Sequence, residues 1–392
     1  MTQSSFELTA QRISVGFEYP VYFTEGCLRP GNGALVHAVS HKEPARRHRA
    51  VVVIDGGLAA ADPEIASRVS RYVAAHTERL DLAASPLVVP GGEASKNDPA
   101  LVTRVQSWLS ELGIDRQSVV VIVGGGAVLD VAGYAAATTH RGVRVVRLPT
   151  TVLSQCDSGV GVKNGVNAFG KKNFLGTFAP PFAVVNDTSF LKTLSLRDKK
   201  AGMSEAVKVA LVRDRGFFHW IAEHARELSS AEPGALDALI RKSADLHLHH
   251  IRTSGDPFEL GSARPLDFGH WAAHKLETLT RHRLRHGECV AIGMAIDTVY
   301  SARAGIASVS VQKAVLTTLD ELGLTLWDDA LDLAGPGGER AVLAGLGEFR
   351  EHLGGELTVT LLSDIGAGLE VNSIDENMVA LAIDDLRHRA VR

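Results

Sequence analysis

Short β-branched runs alternate with helical stretches through the first half of the chain, and this alternation constrains the fold most strongly. The runs are "RAVVVID", "SPLVVPGG", "SVVVIVGGG" and "VRVVRLPTT", and segments between them such as "PALVTRVQSWLSELG" place apolar residues at helical spacing. Strands that alternate with helices form a mostly parallel sheet covered by helices on both faces. In such a sheet, ligands bind where the carboxyl ends of strands meet the amino ends of helices.

After about residue 190 the pattern changes to helical periodicity, as in "MSEAVKVALV", "ALDALIRKSADLHLHH" and "CVAIGMAIDTVYSARAG". Only "ELTVTLLSDIG" near the C-terminus is typical of a strand. We therefore predict an N-terminal α/β domain over residues 1–190 and a C-terminal, mainly helical domain over residues 191–392. The cleft between two such domains favours a ligand site.

The composition is that of an ordinary globular protein and argues against several classes. With 392 residues, 45% of them apolar and 22% charged, the chain can bury two sizeable cores. A net charge of −4 and the lack of a long basic run argue against a nucleic-acid binder. The N-terminus lacks signal-peptide features, and no apolar run reaches the roughly 18 residues that cross a bilayer. Three scattered cysteines argue against a disulfide framework, so we expect a cytoplasmic protein.

The segment "VVVIVGGGAVLDVAG" places Gly124, Gly125 and Gly126 between an apolar strand and a helix. Glycine lets backbone N–H groups approach a phosphate, and the helix N-terminus adds the positive end of its dipole. A tight strand-to-helix turn without a ligand is the alternative. Asp55, at the end of an earlier strand, could accept hydrogen bonds from ribose hydroxyls, although strand-terminating acids without a ligand are equally common.

A later stretch, "SQCDSGVGVKNGVNAFGKKNFLG", is interpreted as a loop rich in glycine and polar side chains. It offers cationic and amide donors to a phosphate or a polyol. A solvated basic loop without a ligand fits the same residues equally well.

Four histidines fall within "DFGHWAAHKLETLTRHRLRHGE", and two of them, His270 and His274, share one face if the segment is helical. Glu205 and Lys208 lie three apart in another helical segment, where such a pair is usually a surface ion pair. One glutamate with two histidines is a recognised catalytic metal set, so Glu205 becomes a candidate ligand if it meets these histidines. The residues alone leave open which histidines bind a metal.

Together these motifs resemble those of the dehydroquinate synthase-like sugar phosphate cyclases over nearly the whole chain. The motifs "GGGAVLDVAGYAAATTHRG", "LPTTVLSQCDSGVGVKNGVN", "GKKNFLGTFAPP", "TLSLRDKKAGMSEAVKVALVRD", "DFGHWAAH" and "HGECVAIGM" follow one another in family order. The resemblance implies a Rossmann-like NAD-binding domain and a helical metal- and substrate-binding domain. It also implies a reaction in which NAD⁺ oxidises a seven-carbon sugar phosphate, phosphate leaves, the hydride returns, and the opened chain closes to a carbocycle.

The resemblance assigns roles to individual residues. Glu205, His270 and His286 match the ligands of a divalent metal, zinc or cobalt, and His274 matches a histidine that contacts the substrate phosphate. His282 has no matching position and is expected at the surface. Further substrate-site positions are matched by Asp157, Lys163, Asn173 and Lys208.

The resemblance also implies an NAD site and a homodimer. NAD-binding positions are matched by Asp55, Glu93, Lys96, Gly124, Gly125, Gly126, Asp130, Thr150, Thr151, Lys172 and Thr193. Arg141 matches an arginine that reaches the phosphate site of a neighbouring subunit, which implies a homodimer that acts on a small sugar phosphate.

The chain departs from dehydroquinate synthase at positions that hold the substrate carboxylate in that enzyme. A lysine is replaced by His249, an arginine by Ala263 and an asparagine by Asp267. Near the C-terminus, Arg350 and Glu351 stand in a segment that carries two lysines there. Since an unpaired buried carboxylate is unfavourable, we predict a substrate without that group and favour sedoheptulose 7-phosphate. The heptulosonate phosphate used by 3-dehydroquinate synthase is the alternative.

Other readings remain open at this point. The segment "PLDFGHWAAHKLE" most resembles the Ebo-type branch of the superfamily, and valiolone-forming cyclases generally have proline where this chain has His274. A metal-dependent polyol dehydrogenase of the glycerol dehydrogenase type shares the glycine turn and the two-domain plan. A catalytically inactive homologue is a further alternative, against which the intact Glu205, His270 and His286 set argues.

Overall fold

The computed structural model describes residues 8–254, 265–352, 355 and 357–390, and its first half contains the parallel sheet that the sequence predicts. In chain order, the strands are β1 (Val21–Thr24), β2 (His48–Asp55), β3 (Leu80–Leu82), β4 (Leu87–Val89), β5 (Val119–Gly124), β6 (Arg144–Pro149), β7 (Lys163–Ala168), β8 (Lys171–Phe178), β9 (Ala183–Asp187), β10 (Val359–Asp364) and β11 (Ala367–Val371).

Seven strands of the described chain form one parallel sheet in the order β1-β9-β6-β5-β2-β3, with β4 paired to the carboxyl-terminal part of β2. The central strands β2 and β5 are almost entirely buried. A strand covered on both faces has no solvent side, which explains why both segments are continuous β-branched runs without alternation.

The helices, in chain order, are α1 (Ala34–Ser40), α2 (Gly56–Ala61), α3 (Ile65–Ala75), α4 (Pro99–Glu111), α5 (Gly126–Thr138), α6 (Leu196–Arg213), α7 (Arg215–Glu223), α8 (Ala225–Ser229), α9 (Pro233–Thr253), α10 (His270–Leu279), α11 (His286–Arg303), α12 (Val309–Glu321), α13 (Ala344–His352) and α14 (Glu376–Ala390). Local signals set several helix starts. Asp98 caps α4 ahead of Pro99, and the Ser195 side chain caps α6 by accepting a hydrogen bond from the backbone of Asp198.

Two hydrophobic clusters cover the sheet, one on each face. Residues of α1 and α3 pack on one face and residues of α4 and α5 on the other. A larger cluster fills the helical half, where α11 contacts α6, α10, α12 and α14. Most side chains of α11 are buried, as expected for a helix that is surrounded by others. The α/β and helical parts are therefore confirmed, while the boundary between residues 190 and 191 stays a prediction.

The interpretation of the polar stretch after β6 as a loop is wrong in its main part. Strands β7 and β8 pair in an antiparallel hairpin that packs against α5. The sequence pattern did not predict this hairpin, because β8 is mostly exposed and its glycines and polar residues show little apolar alternation. A second strand, β11, pairs with the expected C-terminal strand β10. Within the described residues, no helix combines the length and hydropathy needed to cross a bilayer.

Candidate active site

A cavity of about 920 Å³ lies between the carboxyl edge of the sheet and the helical half. The ends of β2, β5 and β6 contribute its wall on one side, and α9, α10 and α11 contribute the other. This is the edge at which parallel α/β sheets bind ligands. The hairpin of β7 and β8 closes part of the cavity, since residues of both strands line it.

Most of the expected NAD positions come together along this cavity. Those that line it are Asp55, Glu93, Lys96, Gly125, Gly126, Asp130, Thr150, Thr151, Lys172 and Thr193. Gly124 is the last residue of β5 and directly precedes the two lining glycines. Their roles in cofactor binding remain predictions.

The glycine turn gives this side of the cavity its shape. Gly125 caps α5, and its backbone N–H donates to Oδ2 of Asp55 over 3.4 Å. An added Cβ at Gly126 would lie 2.8 Å from Oγ of Ser158, so a side chain there would crowd the turn. Oδ1 of Asp55 accepts a hydrogen bond of 2.7 Å from Gly57 and caps α2, which adds a structural role to this carboxylate. An open helix N-terminus of this kind suits a phosphate group.

Glu205, His270 and His286 converge from three helices and are here called the triad. Glu205 lies within α6, whereas His270 and His286 are the first residues of α10 and α11. One possible ligand atom from each lies within 4.8 Å of the others. Oε1 of Glu205 is 3.7 Å from Nε2 of His270 and 3.3 Å from Nε2 of His286. One carboxylate and two imidazoles form a donor set suited to a catalytic divalent cation.

The surroundings of the triad fit a cation. Nδ1 of His270 donates to the backbone oxygen of Phe268 over 3.1 Å, which leaves Nε2 for a metal. Burial, together with the charge of Lys208, lowers the pKa of His270 to about 3, so this ring is neutral. Oε1 of Glu205 is buried, and its contact with Nε2 of His286, at 3.3 Å, lacks the geometry of a good hydrogen bond. A buried carboxylate oxygen without a donor is rare unless an ion or water completes it.

The second histidine of the triad is held differently. Nδ1 of His286 lies 3.2 Å from Oε1 of Glu277. Burial acts to lower the pKa of His286, but the charge of Glu277 outweighs it and raises the pKa to about 9 in the absence of a metal. A cation at the triad must therefore displace a proton from this ring.

Two glycines of α11 allow the triad to form. An added Cβ at Gly287 would lie 1.8 Å from the backbone oxygen of Ala201 in α6, and one at Gly293 would lie 2.0 Å from the backbone oxygen of Gly269. Any side chain at these positions would push α11 away from α6 and from the turn before α10. This explains physically why glycine follows His286 in "HGECVAIGM".

Lys208 and Asp157 extend the site behind the triad. Nζ of Lys208 contacts Oε2 of Glu205 and lies 4.0 Å from Oδ2 of Asp157. Burial raises the pKa of Glu205, but the charge of Lys208 outweighs it and holds that pKa well below its usual range. Burial and the charge of Lys172 hold the pKa of His274 well below its usual range, so His274 is a neutral donor or acceptor in the cavity.

Of the remaining expected substrate positions, Lys163, Asn173 and Asp267 line the cavity. Oδ1 of Asn173 accepts a hydrogen bond from Nζ of Lys96 over 2.5 Å, so it also organises the hairpin. His282 is exposed at the cavity rim, as expected for a surface residue.

Several expected positions do not enter the cavity of their own chain. His249 is exposed on α9 and contacts Arg252 at 3.3 Å, and Arg141 is exposed in the turn after α5. Glu351 is also exposed and pairs with Lys171 at the surface. Ala263 lies outside the described residues.

Sequence reasoning missed two site residues, Glu277 and His247. Glu277 stands seven residues after His270 and three after His274, so helical periodicity could have placed it on the same face. His247 had no such signal, because the direction of α9 toward the cavity follows only from tertiary packing. Nδ1 of His247 lies 2.9 Å from Oδ1 of Asp157.

Comparison with known proteins covers most of the chain. A family described as "3-dehydroquinate synthase N-terminal" matches residues 86–201, and one described as "3-dehydroquinate synthase C-terminal" matches residues 202–335. The 3-dehydroquinate synthase of Cereibacter sphaeroides is 36% identical over 308 residues, which cover 78% of this chain and 81% of that protein. The 2-epi-5-epi-valiolone synthase of Streptomyces glaucescens is 35% identical over 316 residues, which cover 80% of this chain and 78% of that protein.

A solved structure supports the same relationship over the full length. The 2-epi-5-epi-valiolone synthase of Streptomyces hygroscopicus, determined with NAD⁺ and Zn²⁺ bound, superposes with a TM-score of 0.84 at 28% identity. The superposition covers 97% of this chain and 100% of that one. Both domain families, the curated relatives and this fold agree, and the chain belongs to the dehydroquinate synthase-like superfamily of sugar phosphate cyclases.

Proposed function

We propose that this protein is an NAD- and metal-dependent cyclase that converts a seven-carbon sugar phosphate, preferentially sedoheptulose 7-phosphate, to a carbocyclic ketone with elimination of phosphate. The observation that supports the proposal is that His270 and His286 line the same cavity as the Gly125–Gly126 turn, with Glu205 next to both histidines. A carbon–oxygen lyase with a transient redox step needs a cofactor and a metal next to the same substrate, and this cavity provides a place for both.

The triad would hold the divalent cation, zinc or cobalt, and the glycine turn with Asp55 would hold NAD. When bound, NAD supplies reversible hydride transfer, and the cation withdraws electron density from substrate hydroxyls. A similar cyclase of known structure has NAD⁺ and Zn²⁺ bound. The neutral His270, the buried Oε1 of Glu205 and the open N-terminus of α5 are the features of this chain that fit these groups.

The chain's own residues would bind and orient the sugar phosphate. His274, Lys163 and Asp157 line the cavity, and we expect the first two to contact the phosphate and the Asp157 carboxylate to accept hydrogen bonds from sugar hydroxyls. Lys208 places a buried positive charge beside Asp157. Negative charge that develops on a substrate oxygen there is stabilised more strongly than in water. Fixed orientation of the opened chain would then favour ring closure.

The charge of the cavity supports a substrate without a carboxylate. Its described lining carries seven acidic and five basic side chains. Four of the basic side chains already contact carboxylates of this chain, namely Lys96, Lys172, Lys208 and Arg285. A second anionic group on the substrate would add negative charge to an acidic wall, so a neutral-headed heptulose phosphate fits better.

Phosphate release tests the proposal directly. We expect the purified protein, supplied with NAD⁺ and Zn²⁺, to release phosphate from sedoheptulose 7-phosphate and to give a carbocyclic product by NMR, with the Glu205→Gln variant inactive. Release only from the heptulosonate phosphate would establish 3-dehydroquinate synthase activity instead. Accumulation of NADH with a simple polyol and no phosphate release would establish a dehydrogenase.

We also propose a homodimer in which Arg141 reaches the phosphate site of the partner. Arg141 is exposed beyond α5 and does not line its own cavity. Since Arg141→Ala and Glu205→Gln would both fall in one site of a mixed dimer and leave the other site intact, subunit exchange between the two inactive variants should restore activity. Absence of restoration, with dimers confirmed by ultracentrifugation, would contradict the shared site.

A further inference from the structure

His247 is the histidine through which α9 contacts the cavity, although the resemblance pointed to His249. The His247 side chain is only 13% exposed and lines the cavity, whereas His249 is exposed and does not. Residues two apart on a helix point about 200° apart, so only one of the two can face the cavity. The packing of α9 against the turn that carries Asp157 selects His247.

The ring of His247 is fixed on both sides. Its Nδ1 lies 2.9 Å from Oδ1 of Asp157, and because a carboxylate only accepts, the Nδ1–H group is the donor. On the other side, an added Cβ at Gly161 would lie 3.2 Å from Nε2, so the ring packs closely against that backbone. Oδ2 of Asp157 remains on the side of Lys208, 4.0 Å from its Nζ.

We propose that His247 is a positioning residue for the cyclisation: it holds the Asp157 carboxylate so that Oδ2 faces Lys208 and the substrate hydroxyls. This inference rests on the proposed function, since only there does Asp157 contact a sugar. Without the His247 ring, the Asp157 carboxylate can rotate about its side-chain bonds, and water takes the place of the ring as its hydrogen-bond donor. A misplaced contact of this kind lowers turnover by up to about a hundredfold.

Variants at two positions of one helix test the inference. We expect His247→Ala to lower kcat at least about tenfold, with zinc content, NAD affinity and melting temperature close to those of the wild type. His249→Ala is the matched control. It should keep kcat within about twofold, because the His249 side chain is exposed and does not line the cavity. Equal kcat for the two alanine variants would overturn the inference.

A conservative replacement separates positioning from simple packing. The amide nitrogen of asparagine can replace Nδ1 of histidine, whereas that of glutamine lies nearer to Nε2. We expect His247→Asn to recover most of the lost kcat and His247→Gln to recover little. In an Asp157→Asn background, His247→Ala should cause no further loss, because the two residues act as one unit. Full additivity of the two losses, or an asparagine variant as impaired as the alanine variant, would overturn the inference.

The two proposals fail in different ways. A wild-type protein that releases no phosphate from any seven-carbon sugar phosphate overturns the proposed function and this inference with it. An active wild-type protein whose His247→Ala and His249→Ala variants are equally active overturns the inference alone.

Discussion

Oε1 of Glu277 lies 3.2 Å from Nδ1 of His286, and the other oxygen of the same carboxylate lies 2.7 Å from Nζ of Lys172. One buried carboxylate thus joins the triad to the β7–β8 hairpin, and so links the helical half to the α/β half. A carboxylate on Nδ1 fixes the protonated nitrogen of a histidine and leaves Nε2 for a metal.

We expect Glu277→Gln to weaken zinc binding about 10- to 100-fold, the usual effect of losing such a carboxylate partner. The amide neither balances the charge of Lys172 nor polarises His286 as strongly. Competition with a chromophoric chelator measures the affinity. Glu348→Gln is the matched control, because Glu348 contacts Lys275 at the surface and lies outside the cavity. Equal zinc affinity for both variants would contradict the role of Glu277.

A second prediction concerns the buried pair of Glu205 and Lys208, whose side chains are 1% and 5% exposed. In excess chelator, Glu205→Gln should be less stable than the chelated wild type by about 3–5 kcal/mol, since removing one partner leaves a buried charge unbalanced. Denaturant unfolding of both proteins without metal isolates this pair from the loss of the cation. Identical unfolding midpoints would show that Asp157 alone suffices to balance Lys208.

The Asp55 carboxylate both caps α2 and faces the expected NAD site. Asparagine is an equally good helix cap, so Asp55→Asn should keep the stability of the protein. It should nevertheless weaken NAD binding about tenfold or more, because hydrogen bonds to a charged group contribute about 1.5–3 kcal/mol. Isothermal titration with NAD⁺ measures this, and Asp98→Asn, which alters the cap of α4 alone, serves as the control. Unchanged NAD affinity in the Asp55 variant would leave the carboxylate with its capping role only.

Asp297 of α11 predicts a pH dependence of stability. It accepts hydrogen bonds from the backbone of Gly269 and from Nε1 of Trp271, on both sides of His270, while burial raises its pKa to about 7. The folded pKa lies above the ordinary value, so the folded state keeps a proton that the unfolded state releases. Stability from this group is therefore fully present below about pH 4 and is lost as the pH rises through about 7.

The size of this loss is on the order of 4 kcal/mol, at 1.36 kcal/mol for each pKa unit. The denaturant midpoint of the wild type should therefore fall more steeply between pH 5 and pH 8 than that of the Asp297→Asn variant, whose asparagine side chain cannot ionise. Asp385→Asn, which alters an exposed pair with Arg303, should keep the wild-type slope. Parallel curves for the wild type and the Asp297 variant would show that the carboxyl is already ionised at pH 5.

The parts of the fold that the sequence predicts are those in which burial leaves a local pattern. Strands β2 and β5 are covered on both faces and show as continuous β-branched runs, and the long helices show apolar periodicity. The β7–β8 hairpin was missed because its stability depends on packing against α5, while its own residues are polar and glycine-rich. The strand propensities of its residues do not predict such a segment, because they depend on tertiary packing.

By itself, the sequence determined the parallel sheet, the helical second half and the residue types of a metal set, since these follow from short-range patterns and ordered motifs. The family motifs also implied that Glu205 meets His270 and His286, which lie close together in the structure. Only the tertiary structure decided that Glu277 supports the site and that His247 rather than His249 faces it. The physical reason is that convergence of distant residues depends on how closely helices approach. Here Gly287 and Gly293 set that approach by leaving no side chain between α11 and its neighbours.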